Sequence, residues 1–260
     1  MGYSTYAPDQ KHRIATRGAG RASFITPYLR PGMTLLDVGC GPGSITIELA
    51  RVVAPGSVVG VDIDPPAIEQ ARNSAAEKGV TNVSFQVGDA TGLSFPDDSF
   101  DAACAASTFQ WLKEPAQTAR EVFRVLKPGG VFAARDRARD GDIFGNLSPA
   151  IVKALRIYDR FSLHRGANHR FGSRLYETLL HAGFADVATA GSYDDAGRYA
   201  GYFVSPLVDP KQSAEIIHLG LADAKTLASL AEAWKAWSEH PHSFMLIARC
   251  EAVGWKPGTP

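Results

Sequence analysis

Leu36-Asp-Val-Gly-Cys-Gly-Pro-Gly43 joins a run of strand formers, Thr34 to Val38, to a run of helix formers, Ser44 to Arg51. Glycines between a strand and a helix let the backbone turn sharply and let a ligand lie directly against it. Asp62 stands about 20 residues beyond this turn, at the end of the next strand-like run, Ser57 to Asp62, where a carboxylate can take both hydroxyls of a ribose. A nucleoside-bearing cofactor fits these features. The spacing is G-x-G-x-G, which departs from the G-x-G-x-x-G of dinucleotide sites.

Asp37 separates the cofactors open to such a turn. The helix dipole and free N–H groups attract a pyrophosphate, and a carboxylate two residues before the first glycine would repel it. S-adenosylmethionine carries an ammonium and a sulfonium and no phosphate, so an acid at the mouth of strand one favours it and disfavours NAD. An NAD-dependent oxidoreductase is the competing reading, and binding of reduced nicotinamide would reveal it.

Working outward, β-rich runs alternate with helical ones. Asp64 is a plausible N-cap with Pro65 behind it, and Ala67 to Lys78 is a helix closed by Gly79. Val83 to Val87 and Phe100 to Ala105 read as strands, Pro115 to Leu126 as a helix, Lys127-Pro-Gly-Gly130 as its stop and a tight turn, and Val131 to Arg135 as a fifth strand. The alternation predicts an α/β, doubly wound, Rossmann-like sheet. Ser173 to Ala182 follows as a helix, with Asp186 to Gly191 and Ser243 to Ala252 as strands, giving seven strands with the last antiparallel.

The chain divides into residues 1–138, the N-terminal helices and cofactor core; 139–172, a first insertion with one helix at about Pro149 to Leu163; 173–192, a core helix and strand; 193–242, a second insertion; and 243–260, the last strand and tail. Loops leaving strands four and five can roof the crevice at the carboxyl ends of the strands, so the two insertions are expected to form a helical substrate cap. Its aromatics, Phe144, Tyr158, Phe161, Phe171, Tyr193, Tyr199, Tyr202 and Phe203, suit an apolar or aromatic small acceptor, with Arg165, Arg170 or Arg174 available for an acidic group.

Composition narrows the partners. The chain has 260 residues, 45% hydrophobic, with 27 basic against 27 acidic, enough for one large globular domain without the cationic surplus that phosphate-backbone binding requires. No nucleic-acid partner is expected, and no apolar stretch reaches the roughly 18 residues of a membrane span. Cys40, Cys104 and Cys250 are odd in number and widely spaced, which suits a reducing, cytoplasmic setting and argues against a metal site. A monomer or homodimer is expected.

The sequence resembles the class I S-adenosylmethionine-dependent methyltransferases. The likeness runs in order through Asp37-Val-Gly-Cys-Gly-Pro-Gly43, Gly60-Val-Asp-Ile-Asp64, Gly88-Asp-Ala90 and Leu126-Lys-Pro-Gly-Gly130. It implies that the Gly39 to Gly43 backbone flanks the methionine part, Asp62 binds the ribose, Ile63 covers one adenine face and Asp89 accepts from the adenine amine. The implied cofactor residues are Asp37, Gly39, Cys40, Gly41, Gly43, Asp62, Ile63, Asp89, Ala90, Ala105 and Ser107. Pro96 to Asp101 and the helix ending in Ala231 to Trp237 look like the ubiquinone/menaquinone-biosynthesis-type, small-molecule subgroup. Many relatives carry a histidine where this chain has Ser107-Thr-Phe-Gln-Trp-Leu112, so that histidine's role is not carried over. A similar Phe-Gln-Trp stretch occurs in carboxyl methyltransferases, which keeps a carboxylate acceptor in view.

Candidate acceptor-binding residues are Phe109, Gln110, Trp111, Tyr158, Arg170 and Trp234. Trp234 and Trp237 also fall on one helical stripe with Leu227, Leu230 and Ala231, a spacing that packs a core without any ligand. His164, His169 and Tyr158 are the candidates for a catalytic base, although such histidines are more often surface groups, as His12, His181, His218, His240 and His242 are read here. Lys11, Arg13 and Arg17 precede the first strand on a helical run, either as a solvated face or as a lid closing on the cofactor carboxylate; Lys11 reads as solvated, and for Arg17 both readings stay open. The expected activity is direct in-line methyl transfer from S-adenosylmethionine, leaving S-adenosylhomocysteine. The alternative is a protein of the same fold that binds the cofactor without transferring methyl, as a cyclase or regulator.

Overall fold

Unbroken runs of Val, Leu and Ala are what strands buried on both faces require, and they supply the centre of the sheet. In the computed structural model, which describes residues 22–195 and 205–258, the strands are β1 (Thr34–Val38), β2 (Ser57–Asp62), β3 (Val83–Val87), β4 (Phe100–Ala106), β5 (Leu126–Arg137), β6 (Ile143–Phe144), β7 (Ala185–Asp195) and β8 (Met245–Trp255). Lys11, His12, Arg13, Arg17, Tyr199, Tyr202 and Phe203 lie outside the described residues. The strand order is β3-β2-β1-β4-β5-β8-β6, with β7 paired to β8. Pairings from β3 through β5 are parallel, and Asp37 stands opposite Gly60 on one side and Cys104 on the other.

The helices are α1 (Ser44–Val53), α2 (Pro65–Glu77), α3 (Pro115–Val125), α4 (Pro149–His164), α5 (Leu175–His181), α6 (Pro210–His218) and α7 (Ala224–Glu239). Among the described residues no helix is long and apolar enough to cross a membrane. Pro65 opens α2 as expected, but the Asp64 side chain makes no capping hydrogen bond. Ser148 and Asp223 do cap α4 and α7, accepting from Ile151 N and Thr226 N.

The chain clusters into two units, residues 22–136, 172–190 and 250–258, and residues 137–171, 191–195 and 205–249. The first packs Leu35, Leu49, Val53, Val58, Cys104 and Ala133 into one core and Ile47, Ile68, Ala71 and Phe85 into another around Cys40. The second packs Ile151, Tyr158, Leu227, Trp234 and Met245 together.

Two expectations are corrected. Among the described residues the sheet has eight strands: the seven expected, and the two-residue β6, which lies in the 139–172 insertion where only a helix was expected and which pairs antiparallel with β8. Lys127-Pro-Gly-Gly130 ends α3 but lies within β5 as a bulge. Between Phe100 opposite Leu126 and Ala102 opposite Val131 the register shifts, and Gly129, at φ +79°, donates its N–H to Lys256 O. Residues 129 and 130 bond to 256, and 138 to 248, so β8 runs antiparallel to β5 as expected.

Candidate active site

The glycine turn is held by packing as much as by torsion. Gly39 has φ +70°, and a Cβ there would lie 2.4 Å from the Thr108 side chain; Gly43 has φ +78°, and its Cβ would lie 2.8 Å from Ala71 and the Phe85 ring. Gly41 between them has nothing within 4 Å of its Cβ position. The outer glycines therefore fix the turn against β4 and α2, and the middle one faces open space.

Asp62 sets the turn from the side. Its Oδ2 accepts from Gly41 N at 2.7 Å and its Oδ1 from Asp64 N at 3.0 Å, which fixes the carboxylate at the end of β2. Each oxygen keeps a lone pair beyond the backbone bond it accepts. Burial raises its pKa above the ordinary carboxylate value, against those two bonds. Ile63, the next residue, is 70% exposed, an unusual state for isoleucine. Asp89 is exposed and accepts at Oδ1 from Thr91 N and Oγ1, and these bonds lower its pKa; Ala90 beside it is half-buried.

Asp37 is placed differently from the sequence reading, which put it at the mouth of strand one. Side chains alternate across a strand, and this one turns inward: it is buried, Oδ2 accepts from Thr46 Oγ1 of α1 at 2.6 Å, and Cys104 Sγ lies 3.5 Å from Oδ1. Burial raises its pKa to about 6. Asp37 thus ties β1, β4 and α1 together beneath the turn. Cys40 is also buried, its thiol packed where a Gly60 Cβ would stand. Ala105 lies inside the sheet with no exposed surface, opposite Ala134.

Ser107, half-buried at φ +59°, follows β4, and Thr108 Oγ1 donates to Val38 O at 3.0 Å, so the loop after β4 seats on the glycine turn. Phe109 is fully buried against Phe132, ring centroids 6.0 Å apart, and is core where the sequence reading had it meet an acceptor. Gln110 is buried and Trp111 half-buried on the same 3-10 turn, Phe109–Trp111.

The remaining candidates lie in the second unit. Trp234 is fully buried, its ring centroid 5.4 Å from that of Trp237, whose Nε1 donates to Gly145 O at 2.9 Å; the stripe packs a core and offers no acceptor surface. His169 is buried and stacked on Tyr158 at 5.5 Å. Burial first, then the charges of Arg137, Arg249, Arg139 and Arg170, push its pKa down to about 2, so it cannot hold a proton taken from an acceptor near neutral pH. His164 is exposed at the end of α4, 3.9 Å from Glu215. Arg170 bonds to Asp140 at 2.8 Å and Asp159 at 3.4 Å. Sequence reasoning missed the buried carboxylates that organise these regions, Asp136 and Asp142. They carry no motif, and only their position near the end of β5 could have marked them. Among the described residues no group of three or more His, Cys, Asp or Glu could hold a metal ion.

The family described as Methyltransferase domain matches residues 29–168, more than half of the chain. The chain belongs to this methyltransferase-domain family. It is 33% identical over 174 residues to nocamycin O-methyltransferase of Saccharothrix syringae, covering 61% of each chain. It is 34% identical over 136 residues to the ubiquinone/menaquinone biosynthesis C-methyltransferase UbiE of Ectopseudomonas mendocina, covering 52% of this chain and 50% of that one. The chain spans about half the length of the curated relatives it matches. The YcgJ protein of Bacillus subtilis shares the fold, with a TM-score of 0.65 and 24% identity over 95% of this chain and all of that one.

Proposed function

We propose that this protein transfers a methyl group from S-adenosylmethionine to a small apolar or aromatic acceptor in the cytoplasm. The observation that carries the reading is the fixed Asp62 carboxylate, held by Gly41 N and followed by the exposed Ile63. These residues fit the cofactor: Asp62 receives the ribose hydroxyls, Ile63 covers the adenine, Asp89 accepts from its amine, and the open backbone at Gly41 lies against the amino-acid part. The bound cofactor supplies a sulfonium methyl, an electrophile already activated for displacement.

The chain's task is then to orient and to exclude water. Holding a nucleophile in line contributes about 7–11 kcal/mol through effective concentration, without a base. This accords with a site in which His169 stays neutral and His164 lies at the surface. The named relatives support a small-molecule acceptor at oxygen or carbon.

Calorimetric titration with S-adenosylmethionine, S-adenosylhomocysteine and NADH tests the reading. Micromolar binding of the adenosyl ligands, weakened about tenfold or more by Asp62→Ala as charge-assisted hydrogen bonds are lost, is expected. Silence from both, or binding of NADH instead, overturns it. A product heavier by one methylene then separates methyl transfer from cyclisation or regulation by the same fold.

A further inference from the structure

Gln110 is 6% exposed, on the turn after β4. Asp136 fixes that turn, accepting from Phe109 N at 2.9 Å and Gln110 N at 3.4 Å. The side-chain Nε2 donates to Ser107 O at 3.2 Å, which orients the amide. Its Oε1 is wholly buried and receives no hydrogen bond from the protein. A buried amide oxygen without a donor is unfavourable, and a ligand that brings a donor removes the penalty.

The other acceptors in this corner are engaged. Asp37 meets Thr46 and Cys104, Thr108 Oγ1 reaches Val38 O, Gly39 O and Ala106 O, and Ser107 O accepts from Gln110 itself. Thr108 also fills the space where a Gly39 side chain would stand, so Gln110 lies two residues from the side chain that seats this loop on the glycine turn.

We infer that Gln110 Oε1 accepts a hydrogen bond from the α-ammonium group of the S-adenosyl cofactor, an assignment that rests on the cofactor reading above. An ammonium has three donors and no acceptor, and leaving water it needs oxygens at hydrogen-bond distance. A neutral amide oxygen supplies one without burying a further negative charge. This moves Gln110 from the acceptor side of the reaction to the cofactor side and gives Asp37 a structural role in place of the cation contact expected from sequence.

The test is calorimetry with S-adenosylhomocysteine and its desamino analogue, which lacks only the α-amino group, on wild type, Gln110→Met and Gln110→Glu. Wild type should prefer the amine-bearing ligand about tenfold, the scale of one hydrogen bond to a charged group. Gln110→Met should abolish that preference while leaving affinity for the analogue unchanged, and Gln110→Glu should restore or enlarge it. A preference surviving in Gln110→Met overturns the assignment, as does a wild type that binds both ligands equally. Failure of Gln110→Glu to restore the preference also overturns it, because the amide would then act only by holding Ser107. If wild type binds neither ligand, the cofactor reading falls and takes this assignment with it.

Discussion

Asp37 in the first unit and His169 in the second are both buried titratable groups beside structural partners, and burial moves their pKa values in opposite directions. Asp37 is met by a hydroxyl and a thiol, Thr46 and Cys104, with no cation among the causes of its shift. His169 sits among four arginines, whose own carboxylate partners are Asp142, Asp159, Asp140 and Asp194. Burial disfavours the charged form of each group, so the contribution of Asp37 to stability is kept in acid and that of His169 is lost there. The contrast sets a buried carboxylate held by hydrogen bonds against a buried imidazole held among ion-paired arginines.

The largest effect expected from this contrast is on the cores. Trp234 is fully buried in the second unit's cluster, and Trp234→Ala should cost about 3–5 kcal/mol, the usual scale for a large aromatic. The candidate cofactor residues all lie in the first unit, so S-adenosylhomocysteine affinity below the melting transition should stay at its wild-type value. Urea denaturation paired with calorimetry checks this, and an affinity that falls in step with stability would erase the distinction.

The first unit was the more legible in sequence, for a physical reason. Its strands are short apolar runs punctuated by Gly and Pro, and its helices start where Pro65 and Pro115 allow. Local chemistry therefore marks both the elements and the glycine turn between them. What escaped is direction: Asp37 and Phe109 were recognised as important positions, but whether a side chain points to the mouth or to the core depends on strand alternation and on neighbours distant in sequence. In the second unit α4 and α7 were legible as apolar stripes, while the ion pairs joining residues 137–142 to 159 and 170 were not. Charged residues at those spacings read equally well as a solvated surface.

The next effect in size is the pH response of Asp37. Its folded pKa, about 6, exceeds the ordinary carboxylate value of 3.8, so the native state binds more protons between those values. Stability from this group is full below the unfolded pKa and is lost as pH rises through 6, a change of about 3 kcal/mol. Asp37→Asn should remove that decline, leaving the difference between its urea midpoint and that of wild type larger at pH 7 than at pH 4. Parallel curves would mean that Asp37 titrates alike in the folded and unfolded chains.

His169 gives the smaller effect and the opposite sign. Its folded pKa of about 2 lies below the ordinary imidazole value of 6.5, so the unfolded chain takes up a proton that the native state refuses. Stability from this group is full above pH 6.5 and falls as the solution is acidified, by about 2 kcal/mol at pH 5. His169→Gln carries no titrating ring and should lose none of this on going from pH 7 to pH 5, whatever constant cost comes from breaking the stack on Tyr158. Because the comparison is a difference between two pH values, that constant cost cancels. In the double variant Asp37→Asn, His169→Gln both slopes should vanish between pH 4 and 6. A slope that persists there belongs to the other carboxylates whose pKa the fold shifts, Asp62 upward and Asp89, Asp101 and Glu121 downward.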